Sequence, residues 1–159
     1  MNKPALVRAL VDLLERDIAR ATQAAQRTRE GAIHEEARPE NDKDTRALEA
    51  SYLARGQARR VVDLEQECKL IAFMSVRDFG PDDPIDLGAL VELEGDDSRK
   101  WYFLAPAAGG RSLVHDGMDI DVVTPQAPLG RALIGRMRGD DLDLRLGGKA
   151  RELTISDVR

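Results

Sequence analysis

The sequence is short of cysteine, of aromatic residues, of long apolar runs and of excess positive charge, and each shortage closes off a class of function. A single cysteine, Cys68, excludes an intramolecular disulfide and a thiolate metal cluster, and is what a cytoplasmic protein would carry. Aromatics make up only 4% of the chain, which suits a modest core carrying a long solvated arm rather than a large globular interior. No apolar run is long enough to span a bilayer, and no charged-then-apolar signal segment is present, so the expected location is the cytoplasm. A net charge of −5 argues against a general DNA binder held by phosphate neutralisation.

What is there is charge and helical periodicity. With 159 residues, 33% of them charged and 42% hydrophobic, the chain has room for a small domain with a long solvated extension. One apolar repeat runs Val7, Val11, Leu14, Ile18, Ala21, Ala25, Thr28, Ala32, in steps alternating between four and three. A second runs Ala47, Ala50, Ala54, Gln57, Val61, Leu64, Cys68, Ile71 with the same alternation. That period is a coiled-coil seam rather than the broader face of a helix lying on a globular core. Folding the chain back between the two sets Ala32 opposite Ala47, Ala25 opposite Ala54, Ile18 opposite Val61 and Val11 opposite Cys68. The prediction is an antiparallel two-helix arm over residues 1–74, bulky in its seam near the base and alanine-lined toward the tip. Leu6, Leu10 and Leu13 form a second stripe suited to docking on another domain.

The turn of this arm is acidic. Between His34 and Asp44 fall five acids, Glu35, Glu36, Glu40, Asp42 and Asp44. Pro39 disfavours helix at Arg38, and Asn41 can cap the second helix, with Asp44 as a weak capping-box partner. One or two acids at a helix start would complement its dipole. Five crowded carboxylates repel one another unless a cation or a basic partner is near, so recruitment of a metal and a plain solvated turn both stay open. Along the shaft the charges are mostly arginine: Arg20, Arg27 and Arg29 on the first helix, Arg55, Arg59 and Arg60 on the second. A positive shaft under a negative tip can hold a nucleic-acid strand while the acids address a metal at its end. Taken singly, each arginine is as well explained by a solvated helix face.

From about Ser75 the pattern changes. Phe79-Gly80-Pro81-Asp82-Asp83-Pro84 reads as a turn-rich linker. Strand-like runs follow at Ala89–Leu93, Trp101–Leu104, Asp119–Val123, Asp141–Leu146 and Glu152–Ile155, the last two joined by a Gly147-Gly148 hairpin signal. Pro128–Ile134 is a short helix with Pro128 near its start and Gly135 past its end. Residues 75–159 therefore predict a small α+β domain, an antiparallel sheet with one helix across it. Gly109-Gly110 precedes no strand–helix phosphate loop and reads as a turn. His115 has no evident catalytic partner.

The run Val123-Thr124-Pro125-Gln126-Ala127-Pro128-Leu129-Gly130-Arg131-Ala132-Leu133-Ile134-Gly135, with the Gly147-Gly148 hairpin after it, resembles the C-terminal domain of the GreA/GreB transcript cleavage factors. The family's version reads roughly Ser-Pro-x-(Ala/Gly)-(Arg/Lys)-Ala-Leu-(Ile/Leu)-Gly on an FKBP-like fold. Arm and domain, in this order, cover nearly the whole chain. At the tip Glu40-Asn41 matches the family's Glu-Asn pair, whereas Ala37 stands where the family has its Asp, with Glu36 beside it.

The resemblance implies a transcription elongation factor that is not itself an enzyme but stimulates the hydrolytic activity of its partner, bacterial RNA polymerase. The C-terminal domain would sit at the rim of the polymerase's secondary channel, with Pro128, Arg131 and Leu133 as rim candidates. The arm would reach inward, with Arg20, Arg27, Arg55 and Arg59 facing the nascent RNA 3′ end, and contact DNA only indirectly. Glu40 and Glu36 would then hold a second Mg2+ jointly with the polymerase and cut backtracked RNA, with Glu35, Asp42 and Asp44 as alternates. The protein would act as a monomer and bind no magnesium stably alone. A non-cleaving regulator of the same channel, Rnk-like or anti-Gre-like, is the alternative. A general binding module on the FKBP-like domain is a third, with too few aromatics for a prolyl isomerase pocket.

Overall fold

Two long helices open the chain. In the computed structural model, which describes residues 2–36, 43–95, 98–146 and 149–159, α1 spans Lys3–Glu36 and α2 Lys43–Ala72. Asn2 caps α1 by accepting the Ala5 amide on its side-chain oxygen at 3.1 Å, and Pro4 occupies the first turn where no intrahelical amide is needed. The proposed cap of α2, Asn41, and the turn itself lie outside the described residues.

The chain divides into two compact units, residues 12–69 and residues 1–11 with 70–159. In the first unit the two helices form a hairpin whose burial follows the seam. Leu14 and Leu64 are buried; Ile18, Ala21, Ala25, Thr28, Ala50, Ala54, Gln57, Val61 and Cys68 are half-buried. Intervening positions such as Arg20, Arg27, Arg55 and Arg59 are exposed. The fall from leucine to alanine explains the gradient, since a methyl side chain leaves more of the neighbouring backbone in water. Glu15 lies near enough to Cys68 for its charge to act on the thiol, which is pushed up by burial first and by Glu15 second. That proximity is what an antiparallel pairing of α1 with α2 requires.

The second unit is a sheet with a short helix. Its strands are β1 (Leu90–Gly95), β2 (Ser98–Leu104), β3 (Ser112–His115), β4 (Met118–Val123), β5 (Asp141–Leu146) and β6 (Lys149–Val158). They lie in the order β3-β4-β2-β1-β6-β5. Four pairings are antiparallel, but β2 and β4 run parallel, with Trp101 beside Ile120 and Phe103 beside Val122. The sheet is mixed, then, rather than purely antiparallel as expected. The parallel pair follows from the insertion of β3, which lets the chain return to β4 in the direction of β2.

Strand β3 was not anticipated. It forms because Asp116 and Gly117 both take positive φ, 50° and 76°, in the two-residue turn to β4. Asp-Gly is the preferred pair for a hairpin turn whose twist matches that of its strands. The Ala108–Gly110 turn before β3 likewise uses positive φ at Ala108 and Gly110, as the double glycine suggested.

Helix α3 (Pro128–Leu133) begins at Pro128 and is followed by Gly135 at φ 77°. The Gly135 amide donates to Ile85 O and the Ile85 amide to Arg136 O, both at 2.8 Å, which stitches the linker to the end of the helix. Leu129 and Leu133 from α3 pack with Val91, Leu93, Leu104, Leu142, Ile155 and the linker's Phe79 and Ile85. The opposite-facing Leu90 and Phe103 are fully buried as well, so the middle of the sheet is covered on both faces. The linker is therefore part of the core as well as a connection. Its turn is fixed by Asp83, whose carboxylate accepts the Gly80 amide and the Arg77 guanidinium, each at 2.9 Å. These two bonds, in that order, hold the Asp83 carboxyl below the usual range.

Candidate functional site

The acids around the hairpin turn are divided unequally between the two helices. Glu35 and Glu36 are the last two residues of α1, and Asp44 is the second residue of α2. A helix carries partial negative charge at its C-terminal end and partial positive charge at its N-terminal end. Asp44 therefore favours its helix, whereas Glu35 and Glu36 work against theirs. Helix stabilisation accounts for the first and not for the pair. Glu40 and Asp42 lie outside the described residues, as do the side chains of Glu35, Glu36 and Asp44. His34, in the last turn of α1, is exposed.

The shaft arginines are all on the surface. Arg20 approaches Asp17 at 4.0 Å, and Arg59 donates from Nε to Asp63 Oδ1 at 3.0 Å. Both pairs are local along one helix and exposed, so each contributes little and leaves most of the guanidinium surface facing water. Arg27 and Arg55 are exposed too.

Around α3 the three rim candidates separate. Pro128 and Arg131 are exposed, but Leu133 is fully buried in the core and offers no side chain to a partner. The apolar surface there comes instead from Ile134 and Met137, both exposed. The leucine faces inward because α3 is a short helix lying on the sheet, and position 133 falls one turn beyond Leu129, which is buried too.

Elsewhere in this unit, Lys100 pairs with Asp121 at 2.5 Å and Ser112 Oγ donates to the same carboxylate at 2.6 Å, clasping β2, β4 and β3 together. The Asp121 hydrogen bond holds the Lys100 ammonium above its ordinary pKa. An open groove near the end of the sheet is lined by Glu94, Asp141, Asp143 and Glu152. Arg99 and Thr154 bond to Glu94 and Asp141 in that groove, at 3.0 and 2.7 Å. Among the described residues no three His, Cys, Asp or Glu side chains are grouped to hold a metal. His115 ends β3 with its Nε2 buried and without a hydrogen bond, 3.7 Å from Asp116. No helix among the described residues is long and apolar enough to cross a membrane.

The sequence matches no protein-family model and no curated protein. Among solved structures it is similar to the GreA factor homolog 1 (Gfh1) protein of Thermus thermophilus, at 20% identity and a TM-score of 0.40, over 94% of each chain. Gfh1 of Thermus aquaticus is similar at 18% identity and a TM-score of 0.38, over 92% of each chain. The likeness extends to transcription factors of the Gre type. A prokaryotic transcription elongation factor GreA/GreB from Nitrosomonas europaea is matched at 20% identity and a TM-score of 0.36, over 60% of this chain and 78% of that one.

Proposed function

We propose that this protein binds bacterial RNA polymerase as a Gre-type factor of the secondary channel. In this reading the α1–α2 hairpin carries its acids to the polymerase active site and stimulates cleavage of backtracked RNA. One observation carries the reading: Glu35 and Glu36 end a 34-residue helix where its dipole disfavours them, at the head of a run of acids linking it to a second long helix. Acids that do not serve the fold at that place are available to a ligand. The motif around Pro128–Gly135 supports the same partner.

The donor set fits magnesium, a hard cation that takes carboxylate oxygens and retains several waters. Glu40 and Glu36 are the proposed ligands, with Glu35, Asp42 and Asp44 as alternates. A magnesium ion held there jointly with the polymerase would supply the second metal of an in-line phosphoryl displacement. This chain's own part is to bring negative charge to the ion, while Arg20, Arg27, Arg55 and Arg59 attract the displaced RNA strand. It stimulates the polymerase's own hydrolysis and is not the enzyme.

A second reading is favoured by Ala37, which stands where the resembled family has its metal-directed Asp. The same hairpin would then occupy the channel and regulate transcription without cutting. A purified elongation complex stalled by backtracking decides between them. Shortening of the RNA from its 3′ end on addition of protein and magnesium supports cleavage; altered transcription with intact RNA supports the second reading. Failure to bind polymerase at all would overturn both.

A further inference from the structure

Tyr52 is the one aromatic residue between positions 12 and 69, the compact unit that the hairpin forms. It lies in α2 with 69% of its surface in water, and no hydrogen bond or ring contact ties it to a described residue. Gly56 stands one turn further on, and nothing in the fold calls for glycine there. Its φ is not positive, and a Cβ would meet no atom within 4 Å. A glycine inside a helix destabilises it relative to alanine, so this one needs another reason. What it does is leave backbone bare. Helical side chains lean toward the N-terminus, so a side chain at 56 would lie over the turn that carries Tyr52. Its absence keeps the surface beside the ring open. Arg55, Arg59 and Arg60 share this side of the helix with Tyr52 and Gly56, at steps of three and four, and all are exposed. Glu49 and Asp63 close the stretch at its two ends, Asp63 pairing with Arg59, and between them α2 has no acid.

We propose that Tyr52 and the bare backbone at Gly56 form a platform on which one base of single-stranded RNA stacks, with Arg55, Arg59 and Arg60 along its phosphates. Stacking adds what arginines alone lack, because phosphate contacts by themselves let a strand slide. Every base has a π-face, so the platform fixes the strand's position on the shaft without reading its sequence. A protein wall is the other occupant an exposed ring could meet, and it would take Leu48 and Leu53 as well, both exposed close to Tyr52 in the chain. Such a wall would gain from a larger apolar side chain at 56, whereas a flat base needs that surface uncovered. The proposal deepens the reading above and rests on it for the source of the strand, the displaced 3′ end of the transcript.

Anisotropy of a fluorescein-labelled oligoadenylate, titrated at low salt with the full-length protein, tests the platform without polymerase. Saturable binding is expected, weakened about tenfold by Tyr52→Leu, which keeps apolar bulk but no ring, and nearly unchanged by Tyr52→Phe. Gly56→Leu, which covers the open backbone, should weaken it roughly threefold or more. Helicity by circular dichroism should be unchanged in all three, since both positions are exposed. Absence of binding by the wild type, or equal binding by Tyr52→Leu, overturns the proposal. So does a loss with Leu48→Ser as large as with Tyr52→Leu, which would make this an apolar surface for protein. A second arm uses a backtracked elongation complex with a fluorescent purine analogue in the displaced RNA. Wild type should quench it and Tyr52→Leu should not, at equal affinity for polymerase. Wild type that binds the oligoadenylate but not polymerase removes the polymerase reading and leaves the platform standing. Equal quenching by wild type and Tyr52→Leu removes the platform and leaves that reading.

Discussion

Lys3 Nζ, in the first turn of α1, donates to the carbonyl oxygen of Arg77 at 2.5 Å, across 74 positions of chain. The side chain is buried, and its ammonium lies 4.5 Å from the centre of the Phe79 ring, which the Arg77 guanidinium covers at 3.9 Å. Two cations thus share one ring, and one of them sits at the positive end of a helix dipole. Burial is the main cause that brings the Lys3 pKa down to about 8, with Asp78 opposing and Arg77 assisting.

The pH dependence follows from that direction. Between about 8 and the unfolded value of 10.5 the unfolded chain holds a proton on Lys3 that the folded chain has released. Stability contributed by this group must then rise with pH across the window, by at most about 1.4 kcal/mol per unit, and below it the buried charge is a standing cost. Urea unfolding of the wild type and of Lys3→Met should show this rise in the first and not in the second. Parallel curves from pH 7.5 to 10.5 would show that Lys3 keeps its ordinary proton affinity in the fold.

Two glycines should respond oppositely to alanine. Gly56 lies within α2 with open space where a Cβ would go, so Gly56→Ala should stabilise by up to about 1 kcal/mol through helix propensity alone. Gly130 lies in α3, where a Cβ would meet the Thr124 carbonyl oxygen at 2.0 Å. That carbonyl is fixed by the Ala127 amide at 3.0 Å, so Gly130→Ala must displace backbone and should cost roughly 1–3 kcal/mol. Thermal melts of the two variants decide both signs.

How much of this was legible depended on what kind of signal each element left. The hairpin helices were readable because their burial follows a strict repeat, and helix α3 because Pro128 and Gly135 mark both its ends. The Asp116-Gly117 turn is equally plain in the sequence, yet β3 is not, because Ser112–His115 is only four residues long and sets Leu113 and Val114 side by side, so its alternating burial, with Val114 in water, has no counterpart in residue type. The parallel β2–β4 pairing depends on β3 and was lost with it. Leu133 was read from a motif without its facing direction, and only the sheet beneath α3 shows that it points inward. At the turn, residue types and spacing were informative, but which carboxylates converge depends on backbone conformation that no periodicity specifies.

The seam should be sensitive at one register of α2 and α1 and tolerant at the next. Leu14 is buried, so Leu14→Asp places an uncompensated charge among apolar side chains and should cost about 3 kcal/mol or more. Val61→Asp, at a half-buried seam position, should cost less, and Leu53→Asp, at an exposed one, should stay within about 0.5 kcal/mol. Helicity and denaturant midpoints measure all three. Equal losses at positions 14 and 53 would remove the assigned seam.

The acids of the hairpin turn carry the last prediction. Glu40→Gln keeps the size of the side chain and most of its hydrogen bonding while removing the charge that would hold magnesium. Cleavage of backtracked RNA should fall by orders of magnitude, with affinity for polymerase nearly unchanged. Glu36→Gln should match it if Glu36 takes the place of the family Asp that Ala37 lacks; otherwise Glu35→Gln, Asp42→Asn or Asp44→Asn should. Raising magnesium should partly restore whichever variant matters, because mass action compensates for a weakened site. A factor that only occupies the channel behaves differently: its neutral variants still modulate transcription, and magnesium restores nothing. Wild-type protein that leaves backtracked RNA intact at high magnesium would remove the cleavage reading and leave Ala37 as the residue that explains why.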